Sequence, residues 1–432
     1  MADALTPREA IRTMAPYSPP SSGRAGKLRL DFNENTVGCS PKVIECVQKY
    51  LTADHLTIYP EYQDARRDLG AFFGVSPDEF TITNGTDEAI QLLVNTFVDD
   101  GDDVLLLKPS YAMYRFYAEV AGASVREVDY AGDLSFPVAD FLDELRPETR
   151  AILIANPNNP TGSAIGLDQI ELILETAPDA AVLIDEAYFE FYGVTALRWI
   201  NQYKNLFVSR TFSKTYGMAA MRCGCLFSCA ENIAWIRKAQ SPYSVNMLAV
   251  IAARAAVQDR EYIAKYVGEA LAAREMAYVG FERLGIKYFP SQANFVLFQA
   301  GDRAIPIRDA LRERGVLAHI AGTGVDVDAD AEPLFYTPAW NPRFRARAPF
   351  TAHHAALWAN SADHPGAPGA ACRLHRRSDR RFLLLLCRLG LGPFAAYGRR
   401  WLHSRLHHAC RVFARRNQSR GVGGRTHSAH DP

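Results

Sequence analysis

The chain has 432 residues, 48% of them apolar and 22% charged, the composition of an ordinary soluble globular protein with room for two or three domains. Basic and acidic residues number 48 each, so the whole-chain balance gives no reason to expect nucleic acid or an anionic membrane as partner. That balance hides two compositions: Asn341 to Pro432 holds 17 Arg, no Lys and three Asp, a net +14, which leaves −14 on the residues before it.

Taken from the amino end, Met1 to Pro20 has no apolar core of signal-peptide length, so secretion is not expected. From about residue 80, short apolar runs alternate with longer amphipathic ones, the pattern of a parallel sheet covered by helices. The predicted strands are Asp103 to Leu107, Ala151 to Ala155, Ala180 to Ile184 and Asn205 to Ser209, and each runs directly into polar residues. Ligands of open α/β sheets bind outside the carboxyl ends of the strands, so four such ends predict one site. A second layer is predicted from Asn246 to Leu317, with helical segments over Met247 to Leu284, a strand at Asn294 to Phe298 and a helix from Ile307 to Arg314. The greasy stretch Phe382 to Ala396 is cut by Arg388 and is too short and too charged to span about 30 Å of hydrocarbon, so no membrane span is expected. The eight Cys show no Cys-x-x-Cys spacing, so they read as reduced thiols of a cytosolic protein, and no metal site is expected.

Several polar groups converge on the predicted strand ends. Asn84-Gly85-Thr86-Asp87-Glu88 precedes an apolar-periodic run, so a Gly-containing loop enters a helix whose free N–H groups suit an anion, most naturally phosphate. Thr211 and Ser213 add hydroxyls, and Arg222 a fixed positive charge, for the same dianion. Lys214 would be almost wholly protonated at an ordinary pKa of about 10.4 unless a carbonyl cofactor captured it as an imine. Asp185, at the end of an apolar run, is placed to keep a pyridine nitrogen protonated, which makes such a ring an electron sink. Tyr188 and Asn159 can donate to a phenolate oxygen on that ring, and Tyr111 can stack on its face. Singly, each has a plainer reading: Thr86, Asp87 or Asp185 as a helix cap, Tyr111 as a half-buried aromatic, Lys214 as a solvated charge.

The ordered set NGTDEA (84–89), NPNNPTG (156–162), DEAY (185–188) and SKTYGMAAMRCG (213–224) resembles the fold type I aminotransferases that use pyridoxal 5'-phosphate. Asp31 to Asn35, Tyr59-Pro60-Glu61 and Pro109 to Tyr114 look most like the histidinol-phosphate branch, and the likeness covers roughly residues 25 to 317. It implies an α/β fold: an N-terminal arm within 1–50, a large cofactor-binding domain over 51–245 with a mostly parallel sheet, and a smaller α+β domain over 246–317 that looks incomplete. It implies Lys214 as the Schiff-base lysine and Asp185 as partner of the pyridine nitrogen. Asn159 and Tyr188 become ligands of the phenolate oxygen, Tyr111 the stacking ring, and Gly85, Thr86, Thr211, Ser213 and Arg222 the phosphate cup. Asn33 and Asn35 are expected at the substrate, and Tyr59 resembles a tyrosine that reaches a neighbouring subunit's cofactor phosphate, which implies a homodimer. The implied reaction is ping-pong transamination between histidinol phosphate and 2-oxoglutarate in the cytoplasm, with Lys214 moving the proton.

The family pattern continues past Leu317 with two Arg-bearing strands and a closing helix; this chain reads AHIAGTGVDVDADAEPLFYTPAWNPRFRARAPF, in which neither strand is predicted. The switch to Arg without Lys, with nine of eleven His, is what out-of-frame translation near residue 318 would give, leaving 318–432 aberrant and turnover impaired or absent. An appended basic tail that binds nucleic acid, and a divergent small domain, remain alternatives, as do an aromatic aminotransferase, a phosphothreonine decarboxylase and a non-catalytic tail-driven binder.

Overall fold

The computed structural model describes residues 5–16, 23–321 and 334–338. Its strands are β1 (Leu28–Leu30), β2 (Phe80–Thr83), β3 (Asp103–Lys108), β4 (Ser124–Asp129), β5 (Thr149–Ala155), β6 (Ala181–Asp185), β7 (Leu206–Thr211), β8 (Gly224–Phe227), β9 (Tyr288–Phe289), β10 (Phe295–Gln299), β11 (Val316–Ala321) and β12 (Leu334–Pro338). The larger sheet has the order β2-β8-β7-β6-β5-β3-β4. All its neighbours pair in parallel except β8, which is antiparallel to β2 and β7.

Both faces of this sheet are covered, which is why its strands read as continuous apolar runs. Successive side chains alternate across it: Leu105, Ile152, Ile154, Val182, Ile184 and Val208 pack into one core, Leu106, Leu153, Leu183 and Phe207 into the other. Met247–Val257, at the expected start of the smaller domain, is apolar almost all round and packs into the first of these cores through Ala249, Val250, Ala252 and Ala253. The helical region then breaks at Gln258-Asp259 and resumes as Arg260–Leu284, which Gly285 ends in the left-handed conformation.

The second sheet has the order β1-β11-β12-β10-β9, with β1 parallel to β11 and the other pairs antiparallel. Two of its strands correct the sequence reading, which placed none after Leu317. β11 pairs Leu28 with Val316 and Leu30 with Ala318, and β12 completes the sheet between β11 and β10. The expected strands were to bear Arg, whereas VLAHIA and LFYTP form theirs without any. In β11, Ala318 and Ile320 bury one face against Ile307 and Leu311. The Arg- and His-rich stretch from Asn341 onward, expected to be out of frame or disordered, lies outside the described residues, as do Cys372, Cys387 and Cys410. Cys39, Cys46, Cys223, Cys225 and Cys229 are free thiols. Among the described residues no helix is long and apolar enough to cross a membrane.

Candidate active site

The carboxyl ends of β5, β6 and β7 lie in register, Ala155 opposite Asp185 and Asp185 opposite Ser209. At that edge Asp185 is 3% exposed. Ser209 donates to its Oδ1 at 2.8 Å and Tyr114 to its Oδ2 at 2.9 Å. Among the described residues no ion pair reaches it. Burial pushes its carboxyl up to about 6 despite those two hydroxyls, because the anion is out of water and its partners are neutral.

Lys214 follows the end of β7, and its Nζ donates to the carbonyl of Phe32 at 2.7 Å. Burial brings the amine down to about 8, opposed by the carboxylates of Glu34, Asp87 and Asp185. Its ammonium lies 5.7 Å from the ring centre of Tyr188. The Tyr188 hydroxyl accepts from Asn33 Nδ2 at 2.9 Å, and burial holds its pKa well above the phenol value. Asn33 takes the left-handed conformation at φ 55°, its carbonyl accepting from Asn294. Asn35 donates to the carbonyl of Thr215 at 3.0 Å. The segment Asp31 to Asn35 therefore holds Lys214, Tyr188 and the residue after Lys214 at once.

The helix Gly85–Phe97 begins at Gly85, and Asn84, its N-cap, makes no side-chain capping bond. Thr86 and Asp87 lie inside the first turn and are not its caps. Asp87 accepts from the Tyr111 hydroxyl and from Arg222, each at 2.8 Å. Gly85 has φ +77°, and a Cβ there would lie 2.6 Å from the Arg222 guanidinium, so the backbone and that cation approach as only glycine permits. Thr211 is buried with its Oγ accepting from the Ser213 amide at 3.1 Å, and Ser213 is buried beside it. Asn158 holds the 156–162 turn through Ser110, Pro109 and Thr161, leaving Asn159 partly exposed on it. Tyr59 alone stands apart, 73% exposed and packed on the ring of Tyr243.

Four further groups take part: Asp87, Ser209, Tyr114 and the Phe32 carbonyl. Ser209 was visible as a hydroxyl ending an apolar strand, and Tyr114 as the last residue of the Pro109 to Tyr114 motif. The Phe32 carbonyl, a backbone group, leaves no mark in a sequence.

The family model for class I and II aminotransferases matches residues 25–332. The chain belongs to that family. It is thereby a pyridoxal 5'-phosphate-dependent aminotransferase, and the match extends past residue 317, where the sequence likeness was expected to stop. This aminotransferase is 36% identical over 331 residues to a histidinol-phosphate aminotransferase of Symbiobacterium thermophilum, covering 73% of this chain and 90% of the relative. It is 33% identical over 322 residues to one from Geobacillus, covering 71% and 87%. In fold it resembles the histidinol-phosphate aminotransferase of Sinorhizobium meliloti solved in complex with pyridoxal 5'-phosphate, at TM-score 0.69 and 22% identity over 77% of this chain and 93% of that one. A histidinol-phosphate aminotransferase from Clostridium acetobutylicum aligns at TM-score 0.67 with 23% identity, covering 74% and 96%.

Proposed function

We propose that this aminotransferase moves the amino group of L-histidinol phosphate to 2-oxoglutarate, giving imidazole-acetol phosphate and glutamate, as a cytoplasmic homodimer in histidine biosynthesis. The observation that carries the reading is the placement at one sheet edge of a buried acid that no ion pair reaches among the described residues, Asp185, and a partly buried amine, Lys214. The substrate assignment is supported by the relatives at 33% and 36% identity.

The residues present fit the cofactor. Among the described residues no ion pair reaches Asp185, which leaves it open to the cation that a ring nitrogen would supply, and the Gly85–Arg222 cradle beside a helix start without a side-chain cap suits a phosphate. Thr86, Thr211 and Ser213 would complete that cup, Tyr111 would cover one ring face, and Asn159 and Tyr188 would donate to the phenolate oxygen. Tyr59, exposed here, would serve the phosphate of a second copy. When bound, pyridoxal 5'-phosphate supplies a ring that draws electrons from the substrate's Cα–H bond.

The chain's own groups do the rest. Lys214 would be the covalent anchor, and its amine, with a lowered pKa, would take the Cα proton and deliver it to the carbon on the far side of the substrate's nitrogen; general acid–base help of this kind is worth roughly 10²- to 10⁴-fold. Asp185 would hold a positive charge at the ring nitrogen, and Ser209 and Tyr114 hold Asp185. Asn33 and Asn35 keep the amino-terminal segment over the lysine and border the substrate.

The absence of Arg from β11 and β12 bears on turnover, since Arg alone grips phosphate through a planar fork. We infer a competent cofactor site with a weakened hold on the substrate, and attribute the composition of the last 92 positions to loss of reading frame. A start for that loss beyond residue 318 is supported by β11, which runs to Ala321, and by the family match, which runs to residue 332. Steady-state assay of the untouched chain with histidinol phosphate tests this. Measurable but slow turnover supports it; an ordinary enzyme rate contradicts the impairment, and none with any amino donor contradicts the function.

A further inference from the structure

We propose that Arg210, with Glu186 and Glu190, is a positioning residue that fixes Asp185 relative to Lys214; this rests on the roles proposed above for those two groups. Arg210 and Glu186 are 5% and 1% exposed, an ion pair sealed beneath the site. Arg210 Nε and Nη2 both reach Glu186 Oε2 at 2.7 Å, and the Thr195 hydroxyl donates to the same oxygen at 2.8 Å. The Ala196 amide donates to Oε1 at 2.8 Å, and Arg210 Nη2 also donates to Thr195 at 3.0 Å. The guanidinium lies 3.4 Å over the ring of Phe189.

The ring that the guanidinium covers belongs to Phe189, so the residue next to it in the chain, Glu190, is placed from the same ion pair. Glu190 accepts from the Thr215 hydroxyl at 3.1 Å and from Tyr216. Asn35 fixes the Thr215 carbonyl from the other side.

The placement in the chain gives this cluster its meaning. Glu186 directly follows Asp185, and Thr215 directly follows Lys214. The β6–β7 ladder ends at the pair Asp185 and Ser209, and beyond it the cluster ties the two diverging segments together. Buried ion pairs are weak devices for stability, because desolvation offsets most of their attraction, so packing alone does not call for one here. What a guanidinium fork adds over an apolar filler is direction, since its donors leave in fixed lines.

The test uses purified holoenzyme and three variants, Glu190→Ala, Glu190→Gln and Arg210→Lys. The readouts are the pH midpoint of the Lys214-dependent cofactor absorbance, kcat, KM and melting temperature. Glu190→Ala and Arg210→Lys are expected to move the midpoint and lower kcat about tenfold to a hundredfold with KM nearly unchanged. Glu190→Gln keeps an acceptor for Thr215 and is expected to restore both. The proposal is overturned if Glu190→Ala lowers the melting temperature yet leaves midpoint and kcat at their wild-type values. Should Arg210→Lys not fold, the Glu190 pair decides. A wild-type protein with no Lys214-dependent band overturns the functional reading and this inference with it; a wild-type band that Glu190→Ala does not move overturns this inference alone.

Discussion

Tyr114 donates its hydroxyl to Asp185 across 2.9 Å inside the protein, so the carboxylate's second oxygen is held by a neutral group that relieves part of its burial without pairing its charge. Asp185 at about 6 is the result: an acid still able to ionise, waiting for a cation. Tyr114→Phe should remove a bond to a charged group worth roughly 1.5–3 kcal/mol and drive the cofactor-free carboxyl above about 6. Carbon-13 NMR of the Asp185 carboxyl follows this directly, and an unchanged midpoint would show that Tyr114 does not support the acid.

The raised pKa of Asp185 makes cofactor-free stability depend on pH with a definite sign. A carboxyl bound more tightly to its proton in the folded state stabilises the fold fully below its unfolded value of 3.8, and that contribution disappears as pH rises through about 6. The span of two units corresponds to about 3 kcal/mol. Urea unfolding between pH 4 and 7 should therefore show wild-type protein losing stability relative to Asp185→Asn, the difference levelling above about 6. Parallel curves would remove Asp185 from the account of this pH dependence.

For Lys214 the sign is reversed. Its folded pKa of about 8 lies below the unfolded 10.5, so its charged form is penalised and the neutral amine becomes available as pH rises through about 8. Stopped-flow capture of pyridoxal 5'-phosphate by cofactor-free protein should accelerate through that range and then level off. Acceleration continuing unabated toward 10.5 would mean that burial does not lower the amine.

At Gly85 a methyl group would meet the Arg222 guanidinium at 2.6 Å on a backbone with φ +77°. Gly85→Ala should cost about 1–2 kcal/mol in fold stability from the left-handed conformation alone. It should also weaken cofactor binding, measured by equilibrium dialysis, because Arg222 must move from the cradle. Unchanged affinity would place the phosphate elsewhere.

Much of this was legible in the sequence. The four strand ends were legible because a sheet buried on both faces must read as unbroken apolar runs, and the apolar run before Asp185 and the one ending at Ser209 show which polar residues stand beside those ends. Asp87 was read only as a helix cap, since one dimension gives no sign that a carboxylate in a first turn meets Tyr111 and Arg222 across the fold. Ser209 and Tyr114 were hidden for a similar reason, one as a strand terminus and the other as an aromatic in the helix Met113–Ala121. Strands β11 and β12 carry no Arg, and only Ala318 and Ile320, on either side of His319, give β11 the alternation of a half-buried strand.

Everything proposed for this site requires that Lys214 and Asp185 grip one cofactor. Borohydride reduction of the holoenzyme, followed by peptide mapping by mass spectrometry in wild-type and Asp185→Ala proteins, tests it most directly. The expected outcome is a pyridoxyl adduct on Lys214 alone, with occupancy sharply reduced in Asp185→Ala at limiting cofactor. An adduct on another lysine, or undiminished occupancy without Asp185, would contradict it.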